Sequence, residues 1–229
     1  MTNITDGPQE DDRSPAPEAD LAALRGYFDE LARIDREGTA LLSPDEVMAQ
    51  TALFAYHPAI RQLGGHVLDD ADTSNHHVLL AAPPLAGSVL FLSHDGDTRV
   101  VFDAVSAFME AVRTARERDI DVPDLHPAVS PPASDQQGLG AFIRSLLESG
   151  DATELVVALV PSLDLRDTGL LVQLAEDEDF YLGEAVALEI AKRPSAGLMP
   201  VAERCAAHPH PQVAQAGDQA VHRIRALMR

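Results

Sequence analysis

Between Gly87 and Val112 the chain reads GSVLFLSHDGDTRVVFDAVSAFMEAV, and its apolar positions change period partway. Val89 and Phe91 alternate with Leu90 and Leu92; Val100, Val101 and Phe102 answer them, with His94-Asp95-Gly96-Asp97 between. Asp-Gly between two β-rich runs predicts a hairpin, because glycine takes the positive φ of a tight turn without steric cost. From Ala104 the period becomes helical. Val105, Phe108, Met109 and Val112 fall on one stripe that covers the hairpin.

Upstream, Leu21, Leu24, Phe28, Leu31 and Ile34 mark one face of a helix ending near Gly38. Ser43-Pro44-Asp45-Glu46 opens a second: Ser43 caps, Pro44 fits the first turn, and the acids suit the positive end of the helix dipole. It should run through Val47, Met48, Ala52 and Leu53. Gly64-Gly65 breaks the chain before a short strand, His66-Val67-Leu68. His77-Val78-Leu79-Leu80-Ala81 reads as another, ended by Pro83-Pro84. The order helix, helix, three- or four-stranded sheet, helix predicts an α+β domain over residues 19–120, a small antiparallel sheet flanked by helices. Residues 1–18, with Pro8, Pro15 and Pro17 among Asp, Glu and Ser, read as a disordered acidic tail.

Asp121 to Gln137 carries Pro123, Pro127, Pro131 and Pro132 and predicts a linker between two domains. Beyond it, residues 138–229 read as helices only. Leu139, Phe142, Ile143, Leu146 and Leu147 make one stripe; Leu155, Val156, Leu159 and Val160 the next; Leu170, Leu171 and Leu174 another. Segments at 182–190, 198–207 and 213–227 follow. A shift of 31 residues lays Leu182, Gly183, Ala185 and Ile190 over Val213, Ala214, Ala216 and Val221. With His208-Pro209-His210-Pro211-Gln212-Val213-Ala214, this pattern resembles HEAT repeats, whose helices bury their faces only by stacking. A plain helical bundle is the other reading.

Charge narrows the function classes. Among 229 residues, 37 Asp and Glu face 17 Lys and Arg, a formal charge of -20. Nucleic acid is excluded as a partner on this ground, since phosphate binding runs on cationic side chains that release counterions. An anionic membrane surface is disfavoured likewise, and no apolar run approaches the roughly 20 residues of a membrane span. A strongly acidic protein is suited instead to a basic protein partner, although acidity also serves plain solubility. The lone cysteine, Cys205, allows no intrachain disulfide and points to a reducing compartment, so a cytoplasmic protein is expected.

The first domain resembles the SUKH superfamily of immunity-type domains. The likeness lies in Gly64-Gly65-His66-Val67-Leu68-Asp69-Asp70, in His77-Val78-Leu79-Leu80, in the Gly87 to Phe102 hairpin and in the closing helix with Phe108. It implies a non-catalytic binding module; many bacterial members are similar to proteins that neutralise toxins, frequently nucleases, by occlusion. The family offers no catalytic constellation to carry over.

His76, His77, His94, Asp95 and Asp97 have the residue types of a metal-dependent hydrolase site, but adjacent His76 and His77 face opposite sides of a strand. An acidic hairpin turn with solvated histidines is the simpler reading. His208 and His210 fit an inter-helix turn better than a metal site, and Cys205 fits a buried apolar stripe. With no nucleophile elbow, phosphate loop or dinucleotide fingerprint, neither a cofactor nor catalysis is expected. Partner binding is assigned to Asp69, Asp70 and Asp72, to His94, Asp95 and Asp97 at the hairpin, and to Glu176, Asp177, Glu178 and Asp179 beside Phe180 and Tyr181. The alternative for the Glu176–Asp179 run is a solvated turn whose acids favour the next helix N-terminus.

Overall fold

Four strands, Gly65–Val67 (β1), His76–Leu80 (β2), Val89–Leu92 (β3) and Arg99–Phe102 (β4), pair in chain order as an antiparallel meander. The computed structural model describes the backbone of residues 17–150 and 153–229, with side chains from residue 24. The expected acidic tail lies outside the described residues, except that Pro17 and Glu18 open the first helix; the side chain of Leu21 also lies outside them. The architecture is mixed α+β, with the sheet between two helical layers.

Every strand residue is buried. Because side chains alternate across a strand, β2, β3 and β4 each feed two cores at once. Leu79, Val89, Phe91 and Val101 pack with Tyr27 of α1 (Pro17–Leu31), Val47 of α2 (Pro44–Leu53), and Phe108, Met109 and Val112 of α4 (Val105–Arg118). Val78, Leu80, Leu90, Leu92 and Val100 belong to the other cluster, with Ile60 and Leu63 of α3 (Pro58–Leu63). That second cluster continues through α5 (Gln136–Ser149), α6 (Thr153–Leu159), α7 (Thr168–Ala175), α8 (Phe180–Lys192), α9 (Met199–Ala206) and α10 (Pro211–Leu227). Among the described residues no helix is long and apolar enough to cross a membrane.

The starts and stops follow local chemistry. Ser43 and Glu46 form a reciprocal capping box: the Glu46 amide reaches Ser43 Oγ at 3.4 Å, and the Ser43 amide donates to Glu46 Oε2 at 2.7 Å. Helix α3, absent from the periodicity reading, is a six-residue turn framed by Pro58 and by Gly64 at φ 57°. The break expected at Gly64-Gly65 is therefore the stop of a helix.

The segment expected as a linker, 121–137, is a packed strap. Val122 and Leu125 lie on the α1/α4 core, whereas Ala133 lies in the helical core on the opposite side of the sheet. Between them Arg99, on the edge strand β4, donates to Pro127 O at 2.9 Å and to Ser130 Oγ at 3.4 Å. The Ala133 amide donates to Ser162 O at 2.9 Å. The strap opens on a 3-10 turn, Val122–Leu125, with Pro123 in its first turn, and then runs along the β4 edge of the sheet.

Candidate functional site

The hairpin loop is shaped by its own side chains. The Ser93 amide donates to Thr98 Oγ1 at 3.1 Å, Thr98 Oγ1 donates back to Ser93 O at 3.2 Å, and Gly96 takes φ 92°. Asn75 Oδ1 accepts the His94 amide at 2.8 Å, anchoring the loop to the chain entering β2. His94, Asp95 and Asp97 are exposed there.

The Glu176–Asp179 run caps α8 rather than spreading as a free acidic face. Asp179 accepts the Tyr181 amide at 3.1 Å, and Asp177 accepts the Asp179 amide at 2.9 Å. Glu176 is ion-paired with Arg204. Phe180 is half-buried against the helical core, so it is not the exposed anchor expected beside these acids. Its ring meets two others: Tyr181, tilted by 33° at 4.1 Å, and His210, stacked at 3.7 Å and 14°. Tyr181 is 54% exposed and remains the one aromatic available to a partner here.

These two expected regions meet. A cleft of about 910 Å³ is lined by His94 and Thr98 of the hairpin, His57 before α3, Glu154 and Val157 of α6, and Asp179 and Tyr181 at the head of α8. The sheet and the helical layer each supply one wall, which explains why residues 85 apart in sequence share it. Among the described residues no lysine or arginine lines it, and neither Glu154 nor Asp179 has an ion-pair partner. Arg99 is engaged with Asp97 at 3.3 Å, and Arg204 with Glu176. His57 accepts the Ala59 amide on Nδ1 at 3.2 Å, so its ring proton resides on Nε2. Burial holds its pKa below the ordinary histidine value, against the opposing pull of Glu154.

Asp69 does not join this surface. It is buried at 7% exposure, accepting the His77 amide on Oδ1 at 2.7 Å and facing His77 Nδ1 from Oδ2 at 2.5 Å. The sequence assigns it to partner binding with Asp70 and Asp72; an isolated β-bridge between Leu41 and Asp69 instead draws it inside. His77 Nε2 lies 2.8 Å from His126 Nε2, and both rings pack on Phe91 and Phe102. Burial, then the neighbouring His77 and Arg99, push the His126 pKa down to about 4.

The remaining candidates scatter. Asp70 accepts the Asp72 amide at 3.1 Å and the Gln50 side chain at 3.4 Å, forming a turn in which Asp72 takes φ 55°. Neither lines the cleft. His76 directs Nδ1 to Asp69 O at 3.0 Å and sets its ring edge-on to Phe54. His77 is thus committed to Asp69 and His126 and does not converge with the exposed His94. Among the described residues no group of three or more His, Cys, Asp or Glu is placed to hold a metal ion. His208 Nδ1 accepts the His210 amide at 3.0 Å. Cys205 is fully buried, and burial pushes its thiol up to about 11.

Sequence reasoning missed His57, Glu154 and His126. Each lies outside any motif, and only the packing of the helical layer on the sheet brings the first two to the cleft. Compared with protein-family models, curated proteins and solved structures, the chain matches none.

Proposed function

We propose that the protein is a non-catalytic binding module for a basic protein partner, and that its biological role is immunity: occlusion of a nuclease-like toxin in a reducing cytoplasm. The observation that carries this reading is the cleft, which gathers His94, Asp179 and Tyr181 with Glu154 and, among the described residues, is lined by no lysine or arginine. An acidic cleft in a chain of net charge -20 attracts a cationic surface over long range and keeps nucleic acid away. A nuclease must present such a cationic surface to its own substrate. The SUKH-like motifs of residues 20–118 favour the same role, and the HEAT-like pattern beyond the strap favours a concave binding face.

The test is affinity purification of the tagged chain from its native lysate, followed by enzymology on the partner. A stoichiometric basic protein with a nuclease domain, whose cleavage of DNA or RNA stops when the chain is added, is the expected result. A basic partner whose activity is untouched would replace immunity with a scaffold role. A neutral or acidic partner would overturn the reading.

A further inference from the structure

We propose that the cleft between the hairpin and the head of α8 is an arginine-reading site: it takes an arginine side chain from an extended basic segment of the partner, stacked on Tyr181 and paired with Glu154. The inference rests on the basic-partner reading and names where and how that partner is held. Three observations support it independently of overall charge.

First, the two carboxylates come from different layers of the helical stack, Glu154 from α6 and Asp179 from the cap of α8, where it accepts the Tyr181 amide, and neither has an ion-pair partner. Charge is balanced around them but not between them: Arg99 is spent on Asp97, Pro127 and Ser130, and Arg204 on Glu176. A cation from outside supplies what the chain withholds.

Second, the aromatic surface is preorganised. Tyr181 leans on Phe180 at 4.1 Å and 33°, and Phe180 is itself stacked on His210 at 3.7 Å, so an otherwise exposed tyrosine is braced by two rings in series. A planar guanidinium lies flat on such a ring and bonds a carboxylate with two N–H groups at once; an ammonium does neither as well. Third, His57 offers no rival charge, because its Nδ1 is occupied by the Ala59 amide. At about 910 Å³ the cleft admits the neighbouring residues of a segment as well as the arginine itself.

The experiment is calorimetric titration of the full chain with synthetic octa-arginine and octa-lysine peptides at about 0.15 M salt, where exposed charges more than about 8 Å apart are largely screened. Octa-arginine is expected to bind more tightly than octa-lysine. Glu154→Gln and Tyr181→Ala should each weaken octa-arginine by on the order of tenfold, Tyr181→Phe should restore binding, and Tyr181→Ala should leave octa-lysine within about twofold. The control is Glu117→Gln, an equal charge change on exposed α4, and melting curves establish that every variant is folded. If Glu154→Gln and Tyr181→Ala act no more strongly than Glu117→Gln, the peptide reads only net charge and the cleft assignment falls, while the basic-partner reading stands. If neither peptide binds, both fall.

Discussion

His77 Nε2 and His126 Nε2 stand 2.8 Å apart, tying the middle of the sheet to a strap 49 residues later. Two ring nitrogens at that distance share one proton. Asp69 Oδ2 lies 2.5 Å from His77 Nδ1 and accepts its hydrogen, which leaves the other ring nitrogen of His77 facing His126. The carboxylate at one end thus orients the ring that meets His126 at the other.

Asp69→Asn tests this chain of dependence. An amide nitrogen facing His77 Nδ1 sets N–H against N–H unless His77 shifts its hydrogen to Nε2, the nitrogen that faces His126. The variant should lose about 1 to 3 kcal/mol in urea denaturation, the range for a buried polar group left unsatisfied. A loss below about 0.5 kcal/mol, the scatter of neutral surface changes, would show that the relay is not held as described.

Acid should loosen the same contact. Unfolded histidine takes its proton near pH 6.5, whereas His126 in the folded chain holds out to about 4. Between those values the unfolded state binds more protons, so stability falls as pH drops through the window and levels off below it. His126 is half-buried, and solvent screening trims the effect to about 1 to 2 kcal/mol. The difference between wild type and His126→Gln, measured by denaturation from pH 7 to pH 4, isolates it from other groups. Parallel curves across that window would contradict the assignment.

Most elements and their periods are legible in the sequence: the hairpin, the stripe of α4, the Ser43 cap and the helical stripes beyond Leu139 all form, whereas the short α3 carries no periodic signal. What escaped was the second face of the sheet. His77-Val78-Leu79-Leu80 and Val89-Leu90-Phe91-Leu92 are nearly continuous apolar runs, which signals burial on both sides, yet one covering helix accounts for only one side. The other side needs the helices after residue 138, and for that the proline-rich strap must lie down on the sheet. Proline marks a segment that cannot extend a helix or a ladder; it does not mark one that is free. The cleft was legible in pieces, His94 on one side and Asp179 with Tyr181 on the other. Their meeting depends on that docking, and no local signal announces it.

Two glycines should respond to alanine with opposite sign. A Cβ on Gly217 would fall 2.5 Å from the Cys205 carbonyl carbon and 2.7 Å from Ala206 Cα, so α10 crosses α9 through contacts made with backbone, which has little room to give. Gly217→Ala should destabilise by about 2 kcal/mol or more. Gly26, in α1, has nothing within 4 Å of that position. Gly26→Ala should stabilise by about 0.5 to 1 kcal/mol through helix propensity alone. Matching signs in thermal melts would refute the close crossing of α9 and α10.

Gln136 and Gln137 are adjacent and identical in the sequence, yet the fold uses only one. Gln136 Nε2 donates to Ala133 O at 2.8 Å and to Ser162 O at 2.9 Å, and its Oε1 accepts the Asp164 amide at 2.8 Å. It joins the end of the strap to the turn after α6, where the Ala133 amide already meets Ser162. Gln137 is exposed. Truncating Gln136 strands the Ala133 carbonyl and the Asp164 amide in a half-buried place, so Gln136→Ala should cost about 2 kcal/mol, while Gln137→Ala stays within about 0.5 kcal/mol. Hydrogen exchange localises the effect: the Ala133 and Asp164 amides should exchange faster in Gln136→Ala, with the Leu90 and Val100 amides of the sheet changing only as global stability does. Uniform acceleration across sheet and strap would mean that Gln136 supports the whole core and that the strap has no local stability of its own.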